Sequence, residues 1–551
     1  MAFRFLYKCM YPYRARLIVA VLLLLLGSAA LLGSPWMAKL LTQQLLTPDE
    51  STLSRQYVIK LWILLLIIQA ILGYYSSIII TTTGQKILHD LRNQVFSHVQ
   101  SLPLSYQQST QRGDTISLLV NDATSVSNFI SNTVVSALPQ LTVCLGAIAL
   151  LAYTHLVFGA IAVLAAICFV LVVKLFGRKI RSISSTLVTQ HAEIVSNLEE
   201  NLQQLQLVKT YNRENHELAK FAEKNKSYYL NFSRYLKHSL AIMPFVNMVG
   251  ACLVLVMVAL LISQLESNHL TVPDLVSVLL YGLLLTRPIS TLAASYGMLQ
   301  NTLAAAHRLQ NVLEVKAEAK YDPDSPLIVS EGVIEFQNVS FSYPNSQPIL
   351  QQASFTLHGN TCSAIVGPNG IGKSTLAKII LRFVEDYSGD VFIDGQSIRH
   401  IPPPNVRARC AFVDQRPVLI NGTIWDNLKY GVSNISDKDI LNLLNRTNNT
   451  NWIQQLPNGF NTEVGERGMR LSGGQSQKIA LCQALLTNPN ILLLDEPTSM
   501  IDTTSAEWFA NYREELTNKT VIIITHDERI SNQTQNIFVM KDKTLKAAKQ
   551  N

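Results

Sequence analysis

From Ser363 to Thr375 the chain reads Ser-Ala-Ile-Val-Gly-Pro-Asn-Gly-Ile-Gly-Lys-Ser-Thr, an apolar strand running into G-x-x-x-x-G-K-S and then a helical stretch, Leu376–Phe383. Glycines at this spacing let the backbone turn tightly enough for successive N–H groups to face phosphate oxygens. The helix N-terminus adds the positive end of its dipole. Lys373 supplies a point charge to the β/γ-phosphates, and the Ser374 hydroxyl can ligate Mg²⁺. Gly367, Pro368, Asn369, Gly370, Gly372, Lys373, Ser374 and Thr375 are the candidate nucleotide-binding residues of this segment.

Two further apolar runs end in polar groups. Ile491-Leu492-Leu493-Leu494-Asp495-Glu496 reads as a strand buried on both faces of a parallel sheet. Ligands of such sheets bind at the carboxyl ends of strands, which places Asp495 near a metal ion and Glu496 near an attacking water. Val521-Ile522-Ile523-Ile524-Thr525-His526-Asp527 is a strand of the same type, with His526 emerging on the same edge. Leu471-Ser472-Gly473-Gly474-Gln475 opens a helix that reads as amphipathic through about Thr487. Its N–H groups, its hydroxyl and its dipole make a second phosphate cradle.

Together these segments resemble the ATP-binding cassette (ABC) family. Gly367–Ser374 matches Walker A, Leu471–Gln475 the signature, and Ile491–Glu496 Walker B. Gln415 looks like the Q-loop residue, Asp502 the D-loop acid, His526 the switch histidine and Tyr343 the aromatic that stacks on adenine. Thr462-Glu463-Val464-Gly465-Glu466 resembles the loop that contacts membrane helices in exporters. The resemblance implies an Mg-ATP hydrolase with ATP and Mg²⁺ as cofactors. Glu496, His526, Lys373 and Gln415 would be catalytic, and Ser374, Gln415 and Asp495 would hold the metal. Tyr343, Walker A with Thr375, the five signature residues and Asp502 would contact ATP. Each ATP would lie between Walker A of one cassette and the signature of another, so a chain with one of each works as a dimer, with itself or with a related half-transporter. The chain departs from the family at Ser476-Gln477-Lys478, where a more basic run is usual. Gln483 stands where arginine is frequent, and Met500-Ile501 where Ala-Leu is common.

These motifs need elements to carry them, and the rest of the chain is of another kind. Of 551 residues, 48% are apolar and only 15% charged, against about 25% charged in ordinary soluble proteins. The mean hydropathy is +0.20. The excess lies before about residue 320, in six windows long enough to cross a bilayer: Leu17–Leu41, Tyr57–Thr82, Val134–Thr154, Leu156–Leu175, Leu240–Ser263 and Leu275–Leu299. The first run is too long for a usual signal-peptide core and reads as an anchor. The expected fold is a membrane α-helical bundle over 1–320, followed by an α/β P-loop NTPase cassette over 321–551. Six spans before one cassette is the layout of exporter-type ABC half-transporters.

Lysine and arginine are scarce in the connections 42–56, His155 and 264–274, and dense at the N-terminus and over 174–237. That bias puts both termini in the cytoplasm of a multi-pass protein, with a bacterial inner membrane as the expected site. The long connections, near 83–133 and 176–239, keep helical apolar spacing. A helical extension of about 25 residues would project roughly 38 Å beyond the membrane. Segments Asp114–Asp122 and Lys209–Glu214 would then carry cassette motion to the spans.

The formal charge of +7 is dispersed beside apolar runs and argues against nucleic acid. Seven scattered cysteines with no C-x-x-C pair argue against a zinc site or a disulfide framework. The expected activity is ATP-driven export or flipping of a lipid, peptide or amphipathic small molecule by alternating access; an ATP-gated channel or regulatory ATPase is the alternative. Gln69, Tyr74, Tyr75, Gln140, Asn247, Tyr281 and Arg287 are the polar residues within the spans, and Arg287-Pro288 suits a kinked helix.

Overall fold

The computed structural model describes residues 2–46, 54–109, 112–266, 271–343, 346–432, 435–499 and 505–550. Two units emerge: 1–100 with 112–315, and 101–111 with 316–551.

In the first unit every apolar window lies on a helix. A short α1 (Ala2–Met10) precedes α2 (Arg14–Leu46), α3 (Arg55–Gln100), α4 (Val135–Thr154), α5 (Leu156–Gln203), α6 (Glu214–Glu266), α7 (Val272–Leu284) and α8 (Thr286–Glu314). Helices α3, α5 and α6 contain 46, 48 and 53 residues. At the α-helical rise they are about 70–80 Å long, more than twice a hydrocarbon core of about 30 Å. The polar connections are thus continuations of the spans as rods. The sixth window breaks at Leu285, between α7 and α8. Pro288 has no N–H to give the Leu284 carbonyl, so the helical ladder is interrupted three residues before the proline.

Helix α2 packs on α3, and α5 on α6, while α7 lies against α2 and α4. Ala147, Leu151, Phe158, Met257, Leu261 and Val278 form the shared core. Much of the remaining apolar surface is left uncovered: Ile63, Leu64 and Ile67 on α3 are about half exposed. A helix apolar on all sides, with its backbone groups paired internally, is stable in lipid rather than in water.

Small residues permit a close helix crossing. A Cβ at Gly84 would lie 1.9 Å from the Ser131 hydroxyl oxygen. The Ser127 hydroxyl donates to the Gly84 carbonyl at 2.9 Å. Around this contact the helical run 112–154 widens into π turns at Leu118–Asp122 and Phe129–Val134. Tyr281, one of the polar intramembrane residues, is buried and donates its hydroxyl to the Leu32 carbonyl at 3.1 Å, a helix-packing role.

The second unit is built on two sheets. The strands are β1 (Ile334–Phe341), β2 (Leu350–Leu357), β3 (Cys362–Val366), β4 (Ser388–Ile393), β5 (Gln396–Ser397), β6 (Cys410–Val413), β7 (Ile491–Asp495), β8 (Thr520–Ile524), β9 (Asn536–Lys541) and β10 (Thr544–Gln550). The smaller sheet has the order β2-β1-β4-β5 and the larger β10-β9-β3-β8-β7-β6. Strands β7 and β8 are buried along their whole length, as their unbroken apolar runs require. The parallel register sets Ile365 beside Ile524 and Ile524 beside Asp495, so β3, β8 and β7 end at one level.

Where the chain enters β1, one carboxylate organises four residues. Asp394 accepts hydrogen bonds from the backbone N–H groups of Ser330, Glu331, Gly332 and Val333, at 2.7 to 3.1 Å. Burial pushes its carboxyl up, but the four donors outweigh burial and hold it below the usual carboxylate range. A depressed folded-state value stabilises the fold above the unfolded-state titration and loses that contribution as pH falls through the folded-state one. Asp394→Ala should therefore lower stability by about 1–2 kcal/mol at neutral pH. The deficit should shrink on acidification, as read by thermal unfolding of the purified full chain across pH; a deficit independent of pH would contradict this role.

Candidate active site

The phosphate loop is shaped by one crowded glycine. Gly372 has φ of +109°, and a Cβ there would lie 2.0 Å from the Ile349 side chain. No side chain fits, and the left-handed backbone alone favours glycine. Helix α9 (Lys373–Ile380) starts immediately afterwards, three residues earlier than the apolar run Leu376–Phe383 suggests, because Gly372 ends the turn. It stops at Ile380, ahead of Arg382, whose φ is +52°. The Lys373 ammonium folds back over its own loop and donates to the carbonyls of Gly367 at 2.7 Å and Pro368 at 3.1 Å. Burial pulls its titration down, and the charges of Glu496 and Asp495 oppose that shift.

The acid pair leaves the sheet from the end of β7. Asp495 is buried and hydrogen-bonded to Ser374; burial pushes its carboxyl up, with Asp414 and Glu496 adding to the effect. Glu496 adopts φ of +48°, a conformation that strains a residue with a side chain. Its N–H donates to the Ile524 carbonyl at 2.8 Å. Its carboxylate is held from two sides: Gln415 Nε2 donates to Oε2 at 2.8 Å, and His526 Nδ1 lies 2.6 Å from Oε1. Gln477, on helix α10 (Gly473–Leu486), donates its Nε2 to the Glu496 main-chain carbonyl at 2.8 Å.

These groups face a cavity of about 730 Å³ lined by Tyr343, Asn369, Gly370, Gly372, Lys373, Ser374, Thr375, Gln415, Asp495, Glu496 and His526. Ile349 and Lys378 line it as well and were not singled out from the sequence. Lys378 follows Ser374 by one helical turn, a spacing that could have revealed it. Asp502 and the Met500-Ile501 departure lie outside the described residues.

Ser374, Asp495 and the Gln415 side-chain carbonyl are hard oxygen donors of the kind Mg²⁺ takes. The negative charge crowded around Asp495 is what a cation would relieve. No group of three His, Cys, Asp or Glu side chains among the described residues could hold a metal alone. The set therefore fits a cation shared with phosphate oxygens.

The signature segment does not line the cavity. Ser472 caps α10, its hydroxyl accepting from Gln475 N–H at 3.2 Å while its own N–H donates to Gln475 Oε1 at 2.9 Å. Ser472 and Gly473 are exposed, so this helix end faces solvent. The helix body is less amphipathic than its sequence suggests: seven residues between Ser476 and Leu485 are buried.

Residues 17–289 match the family model of the ABC transporter transmembrane region, and residues 350–499 the family model described as ABC transporter. An ATP-dependent lipid A-core flippase of Methylobacillus flagellatus is 30% identical over 549 residues, 98% of this chain and 92% of that protein. Its counterpart in Desulfotalea psychrophila is 27% identical, over 98% of this chain and 95% of its own length. A solved structure of a bacterial Atm1-family ABC exporter with ATP bound has a TM-score of 0.86 at 26% identity, covering 97% of this chain and 94% of its own. A helical membrane unit fused to a phosphate-binding cassette, matched over nearly its full length by such proteins, makes this chain a multi-pass, ATP-hydrolysing half-transporter of the ABC exporter family.

Proposed function

We propose that the protein works as a homodimer with two composite ATP sites and drives a lipid or another amphipathic molecule outward across the bacterial inner membrane. The observation that carries the dimer is the exposed signature helix end, a phosphate cradle away from the cavity of its own chain. A second copy supplies what each cavity lacks. The relatives named as lipid A-core flippases support a lipid-like substrate, as does the apolar character of the spans. Residues 1–320 would carry the substrate path and 321–551 the nucleotide machinery, with both termini cytoplasmic.

On this reading Tyr343 stacks on the adenine, and the loop Gly367–Thr375 holds the phosphates. Lys373 leaves its two loop carbonyls for the β/γ-phosphates and stabilises charge that develops during transfer. Ser374, Asp495 and Gln415 would hold Mg²⁺, which supplies charge neutralisation between the phosphates. Glu496 is the general base: it accepts a proton from the attacking water through a carboxylate that Gln415 and His526 now hold. One partner on each oxygen leaves further lone pairs on the carboxylate with which to take that water. His526 is then placed to donate to the γ-phosphate, and Asp502 to act at the dimer interface. Closure on ATP and separation after hydrolysis would pass through Asp114–Asp122 and Lys209–Glu214. The second segment closes on itself through a Lys209–Glu214 ion pair at 2.8 Å.

In lipid nanodiscs the wild-type chain should hydrolyse Mg-ATP, and one class among lipids, peptides and hydrophobic drugs should stimulate it. Glu496→Gln should reduce kcat by about a hundredfold or more while ATP binding survives. Hydrolysis unaffected by Glu496→Gln would remove the assignment of the base. Wild-type silence despite ATP binding would replace the homodimer by a heterodimer.

A further inference from the structure

Gln477 is 1% exposed, yet it keeps a polar side chain in the cassette core. Its Nε2 donates to the main-chain carbonyl of Glu496 at 2.8 Å, while its Oε1 is buried without a hydrogen-bond partner. Turning the amide over would set carbonyl against carbonyl, so Glu496 fixes its orientation. An apolar residue here would leave no orphaned acceptor. What glutamine adds is one bond to the residue with the strained backbone.

That bond joins two parts of the molecule with separate tasks. Glu496 sits at φ of +48°, its N–H on Ile524 and its carbonyl also taking the Ser499 N–H at 3.2 Å and hydroxyl at 3.0 Å. The position of its carboxylate follows from this anchored backbone. Gln477 lies on the first turn and a half of α10, whose exposed N-terminus carries Ser472 and Gly473. Ser472 caps the same unbroken helix that carries Gln477 five residues later, so a displacement of its first turn moves Gln477 with it.

We propose that Gln477 is a positioning residue that couples the two ATP sites of the dimer. The inference rests on the composite-site reading above. The N-terminus of α10 serves the triphosphate held by the partner copy, and Gln477 relays the resulting shift to the base of its own site. A base must stand within hydrogen-bond reach of its water, and misplacement by about 1 Å costs on the order of a hundredfold in rate. A relay of this kind acts on turnover and cooperativity, not on affinity for the nucleotide.

The test uses the full chain in nanodiscs with Gln477→Met, close in volume but without the amide donor, and Gln477→Asn, which keeps the amide but is one methylene short. Binding of a fluorescent ATP analogue should stay within about twofold, and kcat should fall about ten- to a hundredfold. The Hill coefficient for ATP, above 1 in the wild type, should drop to 1 in both variants. If Gln477→Met does not fold, Gln477→Asn carries the same readings. Unchanged cooperativity in a variant that binds ATP, or a wild-type Hill coefficient of 1, would overturn the coupling even where kcat falls. Glu496→Gln is measured in parallel: if it still hydrolyses ATP, the assignment of the base fails, whatever Gln477 does.

Discussion

The parallel register of three strands governs the nucleotide chemistry. Ile365, Ile524 and Asp495 lie side by side, so the phosphate loop, the histidine turn and the acid pair leave the sheet at one level. A slip of one residue in β7 would carry Asp495 to the opposite face and put Leu494 or Glu496 in its place. The apolar runs resist that slip, because both faces of β7 and β8 are buried and any shift would move the ends of the strands out of the core. Packing of featureless leucines and isoleucines thus positions the acid pair Asp495-Glu496 and a histidine.

The geometry within the site is that of a catalyst held ready but self-occupied. Lys373 is bonded to its own loop, and Glu496 is shared between Gln415 and His526. Each of these bonds can be exchanged for one to phosphate or water at little net cost, since a hydrogen bond is traded for another of similar strength. Glu496 has its backbone in the left-handed region, where Ile524, Ser499 and Gln477 pin it.

Much of this was legible in the sequence because it is local. The phosphate loop, the signature and the acid-ended strand are each short segments whose chemistry depends on neighbours in the chain, and the six apolar windows announce helices by length alone. What was not legible is contact across the chain. Ile349 enters the site because it packs against Gly372, 23 positions later in the chain. In the sequence Gln477 is only part of the Ser476-Gln477-Lys478 departure that follows the signature, since its bond to Glu496 depends on how α10 lies against β7. The Asp122–Arg308 ion pair joins residues 186 apart and has no local pattern. The break at Leu285 was foreshadowed by Pro288 but displaced from it, because a proline removes the hydrogen bond to a carbonyl four residues earlier.

The central claim is that a phosphate loop and a signature end, separate in one chain, meet across two copies. Asn369→Cys and Ser472→Cys on separately tagged copies, with the seven native cysteines replaced, bring that claim to one measurement: cross-linking with a short bismaleimide in the Glu496→Gln background. A product of twice the chain mass carrying both tags, formed only when Mg-ATP is present, is the predicted result. Failure to form that product while the chains still bind ATP would contradict the composite site.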